Sequence, residues 1–253
     1  MPTLYNPGAQ HATFTPISSA LNNLQAGAGT IAALARKVTT ANAAVDILGL
    51  MDAARGNWYH SLEYGATALN DDDGIVFNIL GGVTFTTDWY ITVVTWASGT
   101  VTERSHYINQ SSPAGWTHAD ASSGVNGGNR AGPGTIGHFE IGFTGDFSAT
   151  DTNTALVAAW VGVALSDAQC TELIANNRTS DWWNCSAGQP TLLIECNTLT
   201  PTDIGANPST FSSIGSLTLA GSNPTWNFNG RAPAAPAVRP DFRQFPKSIM
   251  RSL

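Results

Sequence analysis

From residue 30 onward the chain is a succession of short apolar runs divided by turn residues, and this spacing predicts strands rather than helices. Trp89–Trp96 (WYITVVTW) is the plainest run, made almost wholly of β-branched and aromatic residues. Its two alternating sets, Trp89/Ile91/Val93 and Tyr90/Val94/Trp96, are both largely apolar. That pattern predicts a central strand covered on both sides. Ile136–Phe143 alternates instead, with Phe139, Ile141 and Phe143 on one side and His138 and Glu140 on the other. Further strands are predicted at Ile31–Val38, Val45–Met51, Trp58–Tyr64, Ile75–Leu80, Val101–Ile108, Ala155–Val163, Thr191–Cys196, Phe211–Leu219 and Trp226–Phe228. Ile31–Val38 has the alanine content of a helix, but its neighbours make it a strand. Gly74, the Gly81-Gly82 pair and Ser98-Gly99 mark the turns.

One segment reads as a helix. Ser166 followed three residues later by Gln169 is a capping-box pattern. Asp167 suits the positive N-terminal end, and Cys170, Leu173 and Ile174 form the apolar stripe. Residues 1–29, with Pro2, Pro7, Pro16, Gly27 and Gly29 and no sustained period, are read as an N-terminal arm. The pattern as a whole predicts an all-β, antiparallel two-sheet sandwich over residues 30–230. A single core containing Trp89, Ile91, Val93, Phe139, Ile141 and Trp160 is expected.

Composition narrows the class. Charged residues are 11% of 253, far below the quarter usual in soluble domains, so Thr, Ser, Asn and Gly must supply the polar surface. This excludes a coiled coil and a highly charged disordered chain. The charges are also segregated. Residues 231–253 hold Arg231, Arg239, Arg243, Lys247 and Arg251 against Asp241, a net of +4. The other 230 residues hold six basic and seventeen acidic side chains, a net of −11. So acidic a body repels nucleic acid and anionic membrane. Pro233, Pro236, Pro240 and Pro246 favour an extended C-terminal segment. Arg239, Phe242, Arg243, Phe245, Lys247 and Ile249 are its candidate docking residues. The N-terminus has neither a basic nor an apolar stretch of a signal peptide, which predicts synthesis in the cytoplasm.

Candidate chemistry is sparse. A glycosidase needs two or three carboxylates gathered across a cleft, whereas Glu63, Glu103 and Glu140 each stand alone in their segments. Asp71–Asp73 are adjacent and read as a turn, not a cation loop. His11, His60, His106, His118 and His138 show no HxH or HxxxH spacing, so a zinc site would have to assemble from distant segments. Gly124–Gly134 lacks the lysine of a phosphate loop. Cys170, Cys185 and Cys196 are read as free thiols, with a Cys185–Cys196 bridge as the alternative. Trp116, His118 and Asp120, with Asn126, Asn129 and Arg130, form a polar-aromatic group of the kind that binds sugars, set against the alternative that they simply line a loop.

The run WYITVVTW, a Gly turn and VTERSHYI resembles a segment of concanavalin A-like, laminin-G-like jelly rolls. GHFEIGFTGDF followed by ALVAAWVGVALSDAQCTEL resembles that family's closing strand, Trp-bearing strand and short helix. Together these cover about residues 30–180. HYINQSSPAGWTHAD and SNPTWNFNG are similar to accessory proteins of tailed-phage particles, especially phages of actinobacteria. The resemblance implies a curved sandwich with a decoration, minor capsid, minor tail or adsorption role in a virion. Its partners would be major capsid or tail subunits and further copies of itself, with glycans as the alternative ligand. The glycosidase branch of the fold carries a Glu-x-Asp-x-Glu strand that nothing here matches, and the calcium ligands of its lectins find no matching positions. No enzymatic activity, cofactor or metal residue is therefore expected.

Overall fold

The structure, a computed structural model, describes residues 3–6, 11–15, 17, 20–21, 24, 28–39, 45–51, 58–64, 69–71, 75–77, 87–96, 103–109, 112–121, 137–142, 152–173, 178–215 and 217–220. The first strands are β1 (Thr3–Asn6), β2 (His11–Phe14), β3 (Gly29–Lys37), β4 (Val45–Met51) and β5 (Trp58–Tyr64). Next come β6 (Leu69–Asp71), β7 (Ile75–Phe77), β8 (Tyr90–Trp96), β9 (Glu103–Asn109) and β10 (Ser112–Ala121). β11 (His138–Gly142) and β12 (Thr152–Val161) precede two short helices, α1 (Asp167–Glu172) and α2 (Arg178–Trp183). The last strands are β13 (Leu192–Glu195), β14 (Phe211–Ile214) and β15 (Thr218–Ala220). The larger sheet has eight strands in the order β10-β9-β8-β3-β12-β1-β15, with β13 also on β12; the smaller runs β14-β2-β11-β4-β5-β6-β7. The strand pairs of both sheets are antiparallel. The chain is an all-β sandwich. No helix among the described residues is long and apolar enough to cross a membrane.

Residues 3–6 and 11–14, read from the sequence within an arm, lie in the sheets. β1 pairs with β12 and β15, and β2 with β11 and β14. Both strands are four residues long, too short to show a period, and they exist because partners remote in sequence complete their hydrogen bonds. β1 and β13 share one flank of β12, at Thr152–Thr154 and Leu156–Ala159 respectively. Cys196 bridges the gap, its N–H donating to the Ala155 carbonyl at 3.0 Å and its carbonyl accepting from Leu4 N–H at 2.8 Å.

Alternation along β8 explains how the core is divided. Tyr90 and Val94 face the smaller sheet, while Trp89, Ile91 and Val93 face the other way. The layer between the sheets gathers Ile31, Ala33, Ala35, Leu48, Leu50, Phe139, Ile141 and Val157, with Phe14 edge-on to Phe211 at 5.6 Å. The expected core residues are all buried, yet they do not share one layer. Phe139 and Ile141 lie between the sheets; Trp89, Ile91, Val93 and Trp160 lie on the far face of the larger sheet. With period-two side chains, a strand apolar on both faces must fill two layers.

The helices and residues 185–193 cover that far face. Ser166 caps α1 as the sequence predicts: Gln169 N–H donates to its Oγ at 3.3 Å, and its own N–H donates to Gln169 Oε1 at 2.9 Å. Cys170 and Leu173 point into the layer. α2 carries no signal that the hydrophobic pattern reveals. It is placed by Trp182, fully buried at 6.4 Å from Trp160 with its indole N–H donating to the Leu173 carbonyl at 3.0 Å. Trp160 donates likewise to Gly188 O at 3.0 Å. The three cysteines are free. Cys170 and Cys185 belong to the outer layer and Cys196 to the inner one, so the larger sheet stands between Cys185 and Cys196 and no bridge joins them.

Residues 197–210 fold back over β13 around Asp203. Its carboxylate accepts N–H bonds from Leu193 (2.9 Å), Gly205 (2.9 Å) and Ser209 (2.7 Å). Burial pushes this carboxyl upward, and those bonds oppose the shift. Gly205 is required by contact: a Cβ there would collide with the Thr191 carbonyl oxygen.

Replacing Ile91 or Ile141 by Ala opens a cavity in one of the two layers, and each change should cost about 2–5 kcal/mol in urea unfolding. A second expectation concerns pH. The Ser186 hydroxyl and N–H each donate to the Glu172 carboxylate at 2.6 Å, and these bonds hold its pKa below the ordinary 4.5. A carboxyl lowered in the folded state stabilises above its unfolded pKa and loses that contribution as pH falls through the folded value. The stability gap between the parent and Glu172→Gln should therefore be full at neutral pH and close below about pH 4.5, as measured by urea midpoints across pH.

Candidate functional site

Of the residues singled out in the sequence, the structure places Trp116, His118 and Asp120 together on β10, at the edge of the larger sheet among the described residues. Asn126, Asn129 and Arg130 lie outside the described residues, as do Arg239, Phe242, Arg243, Phe245, Lys247 and Ile249. The β9–β10 register sets His118 opposite His106 and Asp120 opposite Arg104. Trp116 falls at the irregularity between Ser112 and Thr117. The β8–β9 register sets Val93 opposite His106 and Thr95 opposite Arg104. Positions 104, 106, 118 and 120 thus belong to the outward face of the larger sheet, the face carrying Ile91 and Val93.

A second polar group sits on the outward face of the smaller sheet. In β11, Phe139 and Ile141 turn into the core, so Glu140 takes the opposite side, and it is nevertheless 1% exposed. Thr13 Oγ1 donates to Glu140 Oε1 at 3.5 Å, and His11 Nε2 lies 3.6 Å from the same oxygen. Charge-assisted hydrogen bonds run about 2.7–2.9 Å, so both contacts are loose. The imidazole of His11 is a quarter exposed (25%) and leads from the carboxylate to the surface. Register continues the row across the sheet: Ser213 opposite Thr13, Thr13 opposite Glu140, Glu140 opposite Gly49, and Gly49 opposite Ser61. Gly49 leaves the floor beside Glu140 without a side chain. His138, two positions along β11, has a buried Nδ1 that makes no hydrogen bond.

Sequence reasoning treated Glu140 as solitary and His11 as part of an arm. Thr13 and Glu140 are 127 residues apart, and no local spacing announces their meeting. Chemically, the group holds one carboxylate where an imidazole can share its proton. Among the described residues no set of three or more His, Cys, Asp or Glu side chains is placed to hold a metal ion.

A scan of protein-family models finds no match, and a search of curated protein sequences finds none either. Among solved structures, the chain is similar to Trypanosoma rangeli sialidase at 16% identity and a TM-score of 0.37, over 64% of this chain and 24% of the sialidase. The chain therefore spans about a quarter of that protein's length. It is also similar to scytalido-glutamic peptidase at 11% identity and a TM-score of 0.28, over 83% of this chain and 98% of the peptidase.

Glu140→Ala removes the acceptor of the buried Thr13 hydroxyl and should cost about 1–3 kcal/mol in urea unfolding. Glu140→Gln keeps an acceptor oxygen and should cost less. Equal losses in the two variants would show that the carboxylate is held by packing alone.

Proposed function

We propose that this chain is a non-enzymatic accessory protein of a tailed-phage virion, in which the sandwich is the working body and the C-terminal segment the attachment. The observation that carries this reading is the separation of charge: +4 in residues 231–253 against −11 in the rest. An acidic partner surface attracts the segment while repelling the body, which favours one orientation of docking over non-specific collapse. Exposed charges alone are weak and screened by salt, so Phe242, Phe245 and Ile249 serve as apolar anchors. Arg239, Arg243 and Lys247 provide steering. The partner is a capsid or tail subunit or another copy of the chain, and the protein resides in the virion.

A second reading, surface glycan binding, draws on the position of Trp116, His118 and Asp120 on one strand, the edge of the larger sheet among the described residues, paired with the strand of Arg104 and His106. Aromatic and hydrogen-bonding groups at a sheet edge are what a sugar ring requires. The two readings are compatible and lose different properties on mutation.

Truncation after Gly230 should leave a folded, soluble sandwich that no longer enters particles, measured by its share in purified virions. Normal incorporation would overturn the attachment role. Trp116→Ala should spare incorporation and abolish retention on a glycan array. Incubation with polysaccharides should release no reducing ends; turnover lost in Glu140→Gln would replace both readings with a hydrolase.

A further inference from the structure

Next to the helical layer, the outward face of the larger sheet turns polar along one rung. Arg36 on β3 stands opposite Asn153 on β12, Asn153 opposite Tyr5 on β1, and Tyr5 opposite Thr218 on β15. Ala35 and Leu4, one position away, belong to the layer between the sheets, so alternation turns this rung outward. Leu34, the next outward position on β3, already lies in the layer that the helices cover. The four polar side chains therefore form a shelf at the margin of that layer, crossing four strands. We propose that this shelf binds an acidic carbohydrate, with a sugar ring over Asn153 and its carboxylate on Arg36.

Arg36 gives the site its charge and Trp89 fixes it. The guanidinium carbon lies 5.3 Å from the centroid of the Trp89 ring, and Trp89 is itself buried. A cation over an indole is held by the ring quadrupole rather than by a directed hydrogen bond. The guanidinium fork is suited to bidentate recognition of a carboxylate. Its surroundings desolvate the half-buried Arg36 and pull its pKa down. An anion brought to a desolvated cation gains more than one brought to a cation in bulk water. Asn153 is 2% exposed and forms the floor, while Arg36 and Tyr5, both half-buried, flank it and Thr218 is exposed beyond Tyr5. With neighbouring strands about 4.8 Å apart, the backbones of the two flanks stand roughly 10 Å apart, a span that takes one pyranose ring.

The make-up of the rung selects the ligand. One cation accompanied by an amide, a phenol and a hydroxyl suits a molecule with many hydroxyls and an isolated negative charge. A polyanion is disfavoured, because residues 1–230 hold seventeen acidic against six basic side chains. A peptide strand would pair with main-chain groups at a sheet edge, whereas this rung crosses the strands and presents side chains. β3 is three strands from β10 in the sheet order, so the proposal rests neither on the attachment reading nor on glycan binding at Trp116.

The test uses the full-length chain and two xylo-oligosaccharides of equal length, one bearing a single glucuronate and one neutral, in calorimetric titrations. The acidic oligosaccharide should bind more tightly than the neutral one. Arg36→Gln should erase that preference and weaken the acidic ligand by about tenfold or more, the loss of a hydrogen bond to a charged group. Tyr5→Ala should weaken both ligands by similar factors, and Trp116→Ala should change neither. Binding of neither ligand, equal binding of the two, or a preference that survives Arg36→Gln would overturn the shelf. Binding lost in Trp116→Ala and kept in Arg36→Gln would also overturn it, while favouring the edge strand. If Arg36→Gln does not fold, modification of the native chain by phenylglyoxal decides the matter. The acidic oligosaccharide, and not the neutral one, should slow modification of Arg36 as located by mass spectrometry; equal rates would sink the proposal.

Discussion

The pairing of β3 with β12 takes both faces of two adjacent strands out of water, and the rest of the fold is arranged around covering them. Nearly every residue of both strands is buried. A sheet apolar on one face needs one cover; this one needs two. The smaller sheet supplies the first, through Phe14, Leu48, Leu50, Phe139 and Ile141. The two helices and the residues after them supply the second, through Leu165, Cys170, Leu173 and Trp182. Helices of six residues have little stability alone in water, so α1 and α2 depend on the sheet as much as the sheet depends on them. The result is three layers from a chain whose composition announces only strands and turns.

This division of labour explains what could be read in advance. WYITVVTW declared its double-sided burial because both alternating sets are apolar, and the two layers hold Tyr90 and Val94 on one side and Trp89, Ile91 and Val93 on the other. α1 was legible because capping is a local event, settled between Ser166 and Gln169. β1, β2 and α2 were not legible, since each is short and is stabilised by partners far away. The Glu140 group was hidden for the same reason: its members lie on neighbouring strands but more than 120 residues apart in the sequence.

Polar chemistry in this protein is confined to places where the apolar layers permit it. Asp203 is tolerated at 4% exposure because three backbone N–H groups converge on it. Glu140 is buried more deeply, with Thr13 Oγ1 and His11 Nε2 beside one of its oxygens and Gly49 opposite it in the sheet. The first arrangement is a structural pin for a loop. The second sets an imidazole 3.6 Å from a buried carboxylate, across two strands that pair from distant parts of the sequence.

The way the earliest strands are held has a consequence for the order of folding. β1 lies between β12 and β15, and β2 between β11 and β14. Neither can be flanked on both sides until residues 211–220 have been made. During synthesis β1 and β2 therefore wait with open hydrogen-bonding edges while about two hundred residues after them emerge. Closing such distant pairs is entropically slow, and an unpaired edge invites pairing with another chain. Both β1 and β2 are four residues long, and Pro7 separates them. A short, proline-interrupted edge is a poor template for aggregation, so the same brevity that hides these strands from sequence reading protects the nascent protein until its last partners arrive.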